Sequence, residues 1–345
     1  MRYMRRILGF VLVFFIFVLV CAGALAAIAF YFDSPARESG KEPAAFTIAP
    51  GESLSSVARR LEDEALIRSA RFLVILGKLR GSETSFQKGS YLVPRGKTAR
   101  EIHDFFITGS QFLVRVTIPE GWALQRTAEF FEEKKICTQE AFLAAASDAR
   151  LLASLGIPAD SALGYLFPDT YLFPEGFPAD RIIAEMTGNF RSKIAELDSG
   201  RASGDAQSLH DCVTLASIIE REYRDPAEAP LMASVFYNRL GIRMALGSCA
   251  TVEYIITEIQ KKPHPEYLTY ADLEIPSPYN TYRHIGLPPG PISNPGKTAL
   301  QAAFFPAQTD YWYFVLKDSR AGTHFFSHNL DEHNTAKVVY LKKVS

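Results

Sequence analysis

The stretch Leu215–Glu222, LASIIERE, holds the residue pattern best suited to proton chemistry. Read as a helix, it puts Glu220 on one face with Ala216 and Ser217, so small side chains leave room beside the carboxyl. Leu215, Ile218 and Ile219 supply apolar packing. A carboxyl held among apolar groups has its pKa raised, because desolvation disfavours the charged form. Such a group stays protonated near neutral pH and can serve as a general acid. The octapeptide taken alone fits a solvated glutamate at a helix end equally well, and that is the commoner setting for this residue type.

The surrounding elements must create the buried setting. One helix is expected from about Ser208 to Tyr223, ended by Pro226, since the residue before a proline is pushed out of the helical region. A second is expected over Ala227–Leu240, with Asn238 and Arg239 in its last turn before Gly241. Beyond it come two rigid polar-aromatic loops, Ser277–Tyr282 and Gly286–Ile292. Tyr311–Leu316 reads as a buried strand that pairs with Thr323–Ser327, and Leu330–Leu341 as a closing helix. Upstream, Gly164–Tyr171 and the following Leu-Phe-Pro-Glu-Gly are rich in aromatics and prolines. Their rings suit either stacking on sugars or packing of the loop onto the core. Thr138–Leu155 and Asp180–Leu197 are helical in pattern, and Asp198–Gln207 is a flexible turn.

A recurrence precedes this region. Ile48–Ser53, Val93–Thr98 and Ile118–Ala123 each read as a strand end, a Gly turn and a cap position before an amphipathic helix. Thr98 with Glu101 fits a capping box. Leu54, Val57, Ala58 and Leu61 follow the i, i+3, i+4, i+7 pattern. Three such units make a small α+β module rather than a long solenoid.

The N-terminal Ile7–Phe32 contains no charged residue and is long enough to span a bilayer. Arg2, Arg5 and Arg6 precede it, so the positive-inside rule leaves residues 1–6 in the cytoplasm and the remainder outside. The apolar run is long for a cleaved signal, which favours an uncleaved anchor. Residues 33–45 form a polar, proline-containing linker. The 345 residues suffice for two folded domains, and the formal net charge of −1 lacks the basic excess of a nucleic-acid-binding surface. Cys137, Cys212 and Cys249 show no metal-ligand spacing; a Cys212–Cys249 bridge and buried free thiols both remain open. His324, His328 and His333 do not match a zinc signature. No cofactor or metal is expected.

Several of these stretches, in the same order, resemble the endolytic murein transglycosylase (MltG, YceG-like) family. They are GYLFPDTY from Gly164, LASIIERE, ASVFYNRL at Ala233–Leu240, SPYNTY from Ser277, GLPPGPISNPG at Gly286–Gly296, and YFV with GTHFFS at Tyr313–Ser327. The resemblance implies an α+β protein with one membrane anchor (7–32), a LysM-like glycan-binding module (46–118) and a catalytic domain (119–345). It implies a lytic cut between N-acetylmuramic acid and N-acetylglucosamine in peptidoglycan, leaving 1,6-anhydro ends. The family's catalytic glutamate falls on Glu220, acting first as acid on the glycosidic oxygen and then as base toward the muramyl C6 hydroxyl. Termination or trimming of nascent strands, at the extracytoplasmic face of the inner membrane and beside peptidoglycan synthases, is the role so implied.

A check on that chemistry comes from residue spacing. Glycoside hydrolases usually flank the bond with two carboxylates about 5–9.5 Å apart. Glu222 lies two residues from Glu220 and points nearly the opposite way on a helix, so capping or an ion pair is its expected role. Intramolecular attack needs no second base to hold water, which favours a transglycosylase. Asp169, Asp225, Glu228 and Glu253 are carboxylates that folding could still bring in. Hydroxyls and amides that would orient the sugar are Asn238, Ser248, Thr251, Tyr254, Tyr279, Asn280, Thr281 and Tyr282, with His324 hydrogen-bonding in or near the groove. One departure stands out: the family's usual Ser-Asp-Pro-Thr-Val reads Ser248-Cys249-Ala250-Thr251-Val252, which weakens any case for an essential aspartate there. A binding scaffold that has lost its enzyme, and a water-using muramidase, are the competing readings. Product chemistry separates them.

Overall fold

The structure, a computed structural model, describes residues 2–36, 43–108, 113–197 and 206–341. Most of the Asp198–Gln207 turn and the middle of the 33–45 linker lie outside the described residues. The chain divides into two compact units, Met1–Val114 with Leu172–Glu175, and Arg115–Tyr171 with Gly176–Ser345.

The first unit begins with α1 (Arg2–Asp33). Its Phe14–Asp33 part has a mean hydropathy of 2.6 and none of it is buried, so by length and composition it can cross a membrane. Its C-terminal end is tied down: Asp33 pairs with Arg100 at 3.2 Å, and the Arg68 guanidinium lies 4.7 Å over the Tyr31 ring. Then follow β1 (Ala44–Ile48), α2 (Leu54–Asp63), α3 (Ala70–Leu79), β2 (Gly89–Val93) and α4 (Ala99–Thr108). β1 and β2 pair antiparallel, with Phe46 opposite Tyr91. These rings and Phe106 meet the buried Val57, Ala58 and Leu61 of α2 in one core. Ser53 and Ser69 cap α2 and α3 by accepting from backbone N–H groups three residues on.

β3 (Leu113–Thr117) and β4 (Thr170–Pro174) pair with each other and carry the chain between the units. The second unit adds α5 (Leu124–Glu133), α6 (Gln139–Ala145), α7 (Ala149–Ser154), α8 (Ala179–Leu197), α9 (Ala206–Glu222) and α10 (Ala229–Gly241). After them come α11 (Cys249–Tyr254), continued by a π-helical turn to Ile259, then α12 (Tyr270–Leu273) and α13 (Lys297–Phe304). The hairpin β5 (Tyr313–Asp318) and β6 (Thr323–Ser327) and the helix α14 (Leu330–Leu341) close the chain. β5 and β6 pair antiparallel with Tyr313 opposite Ser327, the pairing expected of these segments, although only Val315 and Ser327 are buried.

The threefold recurrence is real in the backbone. Gly51, Gly96 and Gly121 have φ of +76°, +73° and +77°, a left-handed turn that glycine makes without steric cost. The strand–turn–helix units are β1–α2, β2–α4 and β3–α5. Two expectations change. The pattern over Thr138–Leu155 resolves into α6 and α7, because Asp148 restarts the helix by capping the Leu151 N–H at 2.7 Å. The rings of Gly164–Tyr171 turn inward: Tyr165, Phe167 and Tyr171 are all buried. Tyr165 hydrogen-bonds His210 at 2.8 Å and Tyr171 donates to the Phe167 carbonyl at 2.5 Å, so packing and satisfied hydroxyls replace sugar stacking there.

Candidate active site

α9 is the central helix of the second unit. Val213, Leu215, Ala216, Ile218 and Ile219 are at most 1% exposed, and α10, α11 and α13 pack around it. So much apolar contact fixes the helix and leaves its last turn to present Glu220. The loop before α13 fastens the site. The Ile292 N–H donates to Ser217 Oγ at 2.9 Å, and Ser293 Oγ donates to the Ser217 carbonyl at 3.0 Å. The Asn294 side-chain Oδ1 accepts from Gly164 N–H at 2.8 Å, while the Asn294 backbone N–H donates to the Trp122 carbonyl and its backbone carbonyl accepts from Gly121 N–H, both at 2.9 Å. The loop therefore joins α9, the third Gly turn and the Gly164 loop. Gly164 must be glycine: its φ is +87°, and a Cβ would come within 2.5 Å of Pro291.

Glu220 sits where these segments converge. Its Oε2 accepts from the Gly296 N–H at 2.9 Å, and the Tyr223 hydroxyl lies 3.4 Å from both carboxyl oxygens. A Cβ at Gly121 would lie 3.5 Å from Glu220 Cγ, so the Gly turn passes beside the carboxyl-bearing side chain. Burial pushes the Glu220 pKa up to about 7; the Gly296 N–H opposes the rise, and the nearby Glu120 charge adds to it. The carboxyl is thus protonated over much of the neutral range and retains donors ready for its ionised form.

Glu120 is the carboxylate beside Glu220 that sequence reasoning did not single out. It is exposed, and its carboxyl lies so close over Gly296 that a Cβ there would fall 1.8 Å from Oε1. Gly296 thus meets both carboxyls, donating its N–H to Glu220 and turning its Cα toward Glu120. The signal was present in the recurrence. The residue before the turn glycine is Pro50 and Arg95 in the first two copies, and an acid only in the third.

Glu222 faces elsewhere. It accepts from Ser248 Oγ and lines a cavity of about 330 Å³ with Arg239, Cys249, Tyr282 and His324. Burial raises its pKa as well, and Ser248 opposes the rise.

The proposed sugar-orienting residues fall into distinct places. Tyr254 and Tyr279 form a tilted ring pair, centroids 5.0 Å apart, lining a cavity of about 280 Å³ with His210 and Pro289–Pro291. Tyr254 also lines a larger groove of about 510 Å³ that begins at Gly121 and Arg221. Ser248, Thr251 and Thr281 are buried in one hydrogen-bonded cluster, with Thr251 and Thr281 hydroxyls 2.9 Å apart. Asn280 is fully buried and donates to the Leu273 and Ile275 carbonyls, both at 2.9 Å, which shapes the loop. Asn238 donates to the Thr309 and Tyr311 carbonyls, so its amide pins the segment leading into β5. Tyr282 lies on the Glu222 side, its hydroxyl 3.1 Å from the Cys249 sulfur. His324 pairs with Glu228 at 2.8 Å, His328 with Asp310 at 3.0 Å, and His333 stacks on Tyr313, so the three imidazoles have separate partners. Among the described residues no group of His, Cys, Asp and Glu is arranged to hold a metal ion. All four cysteines are free thiols.

Comparison with known proteins fits this arrangement. The YceG-like family profile matches residues 46–338. An endolytic murein transglycosylase of Bacillus subtilis is 31% identical over 323 residues, covering 89% of this chain and 87% of that protein. One of Streptococcus pneumoniae is 26% identical; the match covers 94% of this chain but only 64% of the longer pneumococcal protein. A crystal structure of a YceG-like protein from Listeria monocytogenes superposes with a TM-score of 0.57 at 31% identity, covering 86% of this chain and 99% of that one. The chain described here belongs to the YceG-like family.

Proposed function

We propose that the protein is a membrane-anchored endolytic peptidoglycan lytic transglycosylase with Glu220 as its acid and base. The observation that carries this reading is the seat of Glu220: a carboxyl at the end of an apolar helix, facing one backbone N–H and one tyrosine hydroxyl. Relatives named endolytic murein transglycosylase support it.

The protonated Glu220 gives its proton to the glycosidic oxygen as the bond to muramyl C1 breaks. The carboxylate so formed is held by the Gly296 N–H and the Tyr223 hydroxyl. It then takes the proton of the muramyl C6 hydroxyl as that oxygen closes on C1. Glu220 ends protonated, as it began, and the product carries a 1,6-anhydro ring; no water is consumed. The Tyr254–Tyr279 pair supplies aromatic surface along the strand, and the Ser248–Thr251–Thr281 cluster, with Asn280, Tyr282, Asn238 and His324, holds the walls around it.

α1 is read as a single-pass anchor with residues 1–6 in the cytoplasm and the catalytic unit outside. The order β1–α2–α3–β2, with its antiparallel strand pair, supports a LysM-like module within 46–118, and 119–345 as the catalytic domain. This placement suits termination or trimming of nascent strands beside peptidoglycan synthases. A water-using muramidase is the second reading, favoured by one observation: Glu120 against Gly296 could hold a water.

Mass spectrometry of peptidoglycan digested by the full chain and by Glu220→Gln tests the proposal. Anhydro-muramyl ends made by the parent and lost in the variant are expected. Reducing ends would move the assignment to the muramidase, and intact strands after incubation with folded parent protein would overturn both.

A further inference from the structure

Apart from Tyr254, the residues lining the groove with Gly121 and Arg221 have no role in the reaction just described, yet a Cβ at Gly121 would lie only 3.5 Å from Glu220 Cγ. Its volume of about 510 Å³ is the largest of the three cavities described, and charged side chains of both signs line it, among them Arg126, Glu129, Lys261 and Lys262. Two rings reach it, and each already has a partner. Trp122 carries the Arg126 guanidinium 5.2 Å over its ring and meets Phe130 edge-on at 5.5 Å. Tyr254 is engaged with Tyr279.

The charges, in contrast, are set in place. Arg221 pairs with Glu253 at 3.0 Å while reaching the Gly121 carbonyl. Lys261 donates to Gln125 Oε1 at 3.2 Å, and the Gln125 N–H donates to Glu258 at 3.3 Å. Lys262 is exposed at the rim, and among the described residues it forms no ion pair. Fixed cations and anions side by side, in a polar groove open to water, suit a short zwitterionic chain better than a neutral polysaccharide. Carboxylates of such a chain gain charge-assisted hydrogen bonds from the cations, and an amine gains them from the acids.

We propose that this groove is the subsite for the short peptide branch that a muramyl residue carries on its lactyl group. The branch carboxylates face Lys261, Lys262 and Arg126, and a branch amine faces Glu129 on α5. The inference rests on the proposed function. If Glu220 acts at C1 of the muramyl residue, the branch on that same ring starts a few bonds away, where the groove opens beside Gly121. The groove then makes the enzyme selective for strands that still bear their peptides, and it fixes which sugar stands over Glu220.

The test uses the full chain in detergent and two matched substrates, glycan strands with their peptides and the same strands stripped of them by an amidase. The readout is the initial rate of anhydro-end formation, resolved into kcat and KM. Peptide-bearing strands are expected to be cut with a kcat/KM about tenfold higher or more, the scale of one well-placed charged contact. Lys262→Glu is expected to bring the ratio toward one, chiefly through KM on the peptide-bearing strands. Equal kcat/KM on both substrates, with anhydro ends from each, overturns the subsite and leaves the proposed function standing. A ratio unmoved by Lys262→Glu and by Arg126→Glu also overturns it. Absence of anhydro ends from both substrates removes the proposed function, and the subsite with it.

Discussion

Glu220 and Glu222 stand two residues apart on α9, and burial raises the pKa of both. They differ in what holds them. Glu220 meets the Gly296 backbone N–H and a tyrosine hydroxyl at the edge of hydrogen-bonding distance, and its neighbour Arg221 lines a groove. Glu222 is locked to Ser248 Oγ and looks toward Arg239 and His324 across the opposite side of the helix. A perturbed proton affinity alone therefore does not mark the acid. The proposed acid is the carboxyl whose partners, a backbone N–H and a distant hydroxyl, tolerate both of its protonation states.

The largest effect that sharpens this contrast is on chemistry. Glu220→Gln is expected to lower the rate of anhydro-end formation by about 10³-fold or more, near the upper range for loss of a general acid–base. Glu222→Gln should stay within about tenfold of the parent, because its carboxyl is structural here. Equal losses in the two variants, measured on the same strands, would break the distinction. Stability should show the reverse ordering. Ser248→Ala leaves the Glu222 carboxyl without its donor, at a cost of about 1–3 kcal/mol by chemical denaturation. Tyr223→Phe should cost less than that, since its contacts with Glu220 are 3.4 Å long.

Two smaller effects follow from pH. The folded protein holds the Glu220 proton up to about pH 7, whereas an unfolded glutamate releases it near 4.5. Over that window the folded state binds more protons than the unfolded state, so this group's contribution to stability falls as pH rises and is fully lost above about 7. Glu220→Gln removes the liability. It should be more stable than the parent at pH 8 by about 3 kcal/mol, with the difference vanishing toward pH 4. Stability curves that run parallel across this range would show that burial does not disfavour the Glu220 charge. The kcat/KM profile of the parent should fall as pH rises through about 7, where the acid is lost. Glu120→Gln removes a neighbouring negative charge, so its alkaline limb should move to lower pH by less than about one unit. Gly296→Ala should move the limb the same way by displacing Glu120, because the φ of −82° accepts any side chain.

The two sides of α9 also show what a sequence reveals and where it stops. The opposed directions of Glu220 and Glu222 follow from helical geometry, and the apolar setting of Glu220 follows from Leu215, Ile218 and Ile219. The pairing of β5 with β6 follows from two neighbouring runs of strand-forming aromatic and β-branched residues. Glu120 stood out only as the one acid before a turn glycine in the three copies; its approach to Glu220 through Gly296, 100 residues away in sequence, is visible only in the fold. Polar loop residues were the hardest to place. Asn280 and Asn238 look like sugar ligands in sequence, yet their amides bind the backbone carbonyls that shape and pin their own surroundings. An amide's type shows that it needs partners, and only the fold shows whether they are substrate or main chain. The same holds for the rings of the Gly164 loop, which the core has claimed.

Digestion in ¹⁸O-enriched water tests most directly whether one carboxyl moves the proton both ways while Glu120 leaves water idle. The muramyl C6 hydroxyl as nucleophile predicts anhydro ends with no ¹⁸O at C1, from the parent and from Glu120→Gln alike. Reducing ends bearing ¹⁸O at C1, lost in Glu120→Gln, would contradict it and make Glu120 the base of a hydrolase.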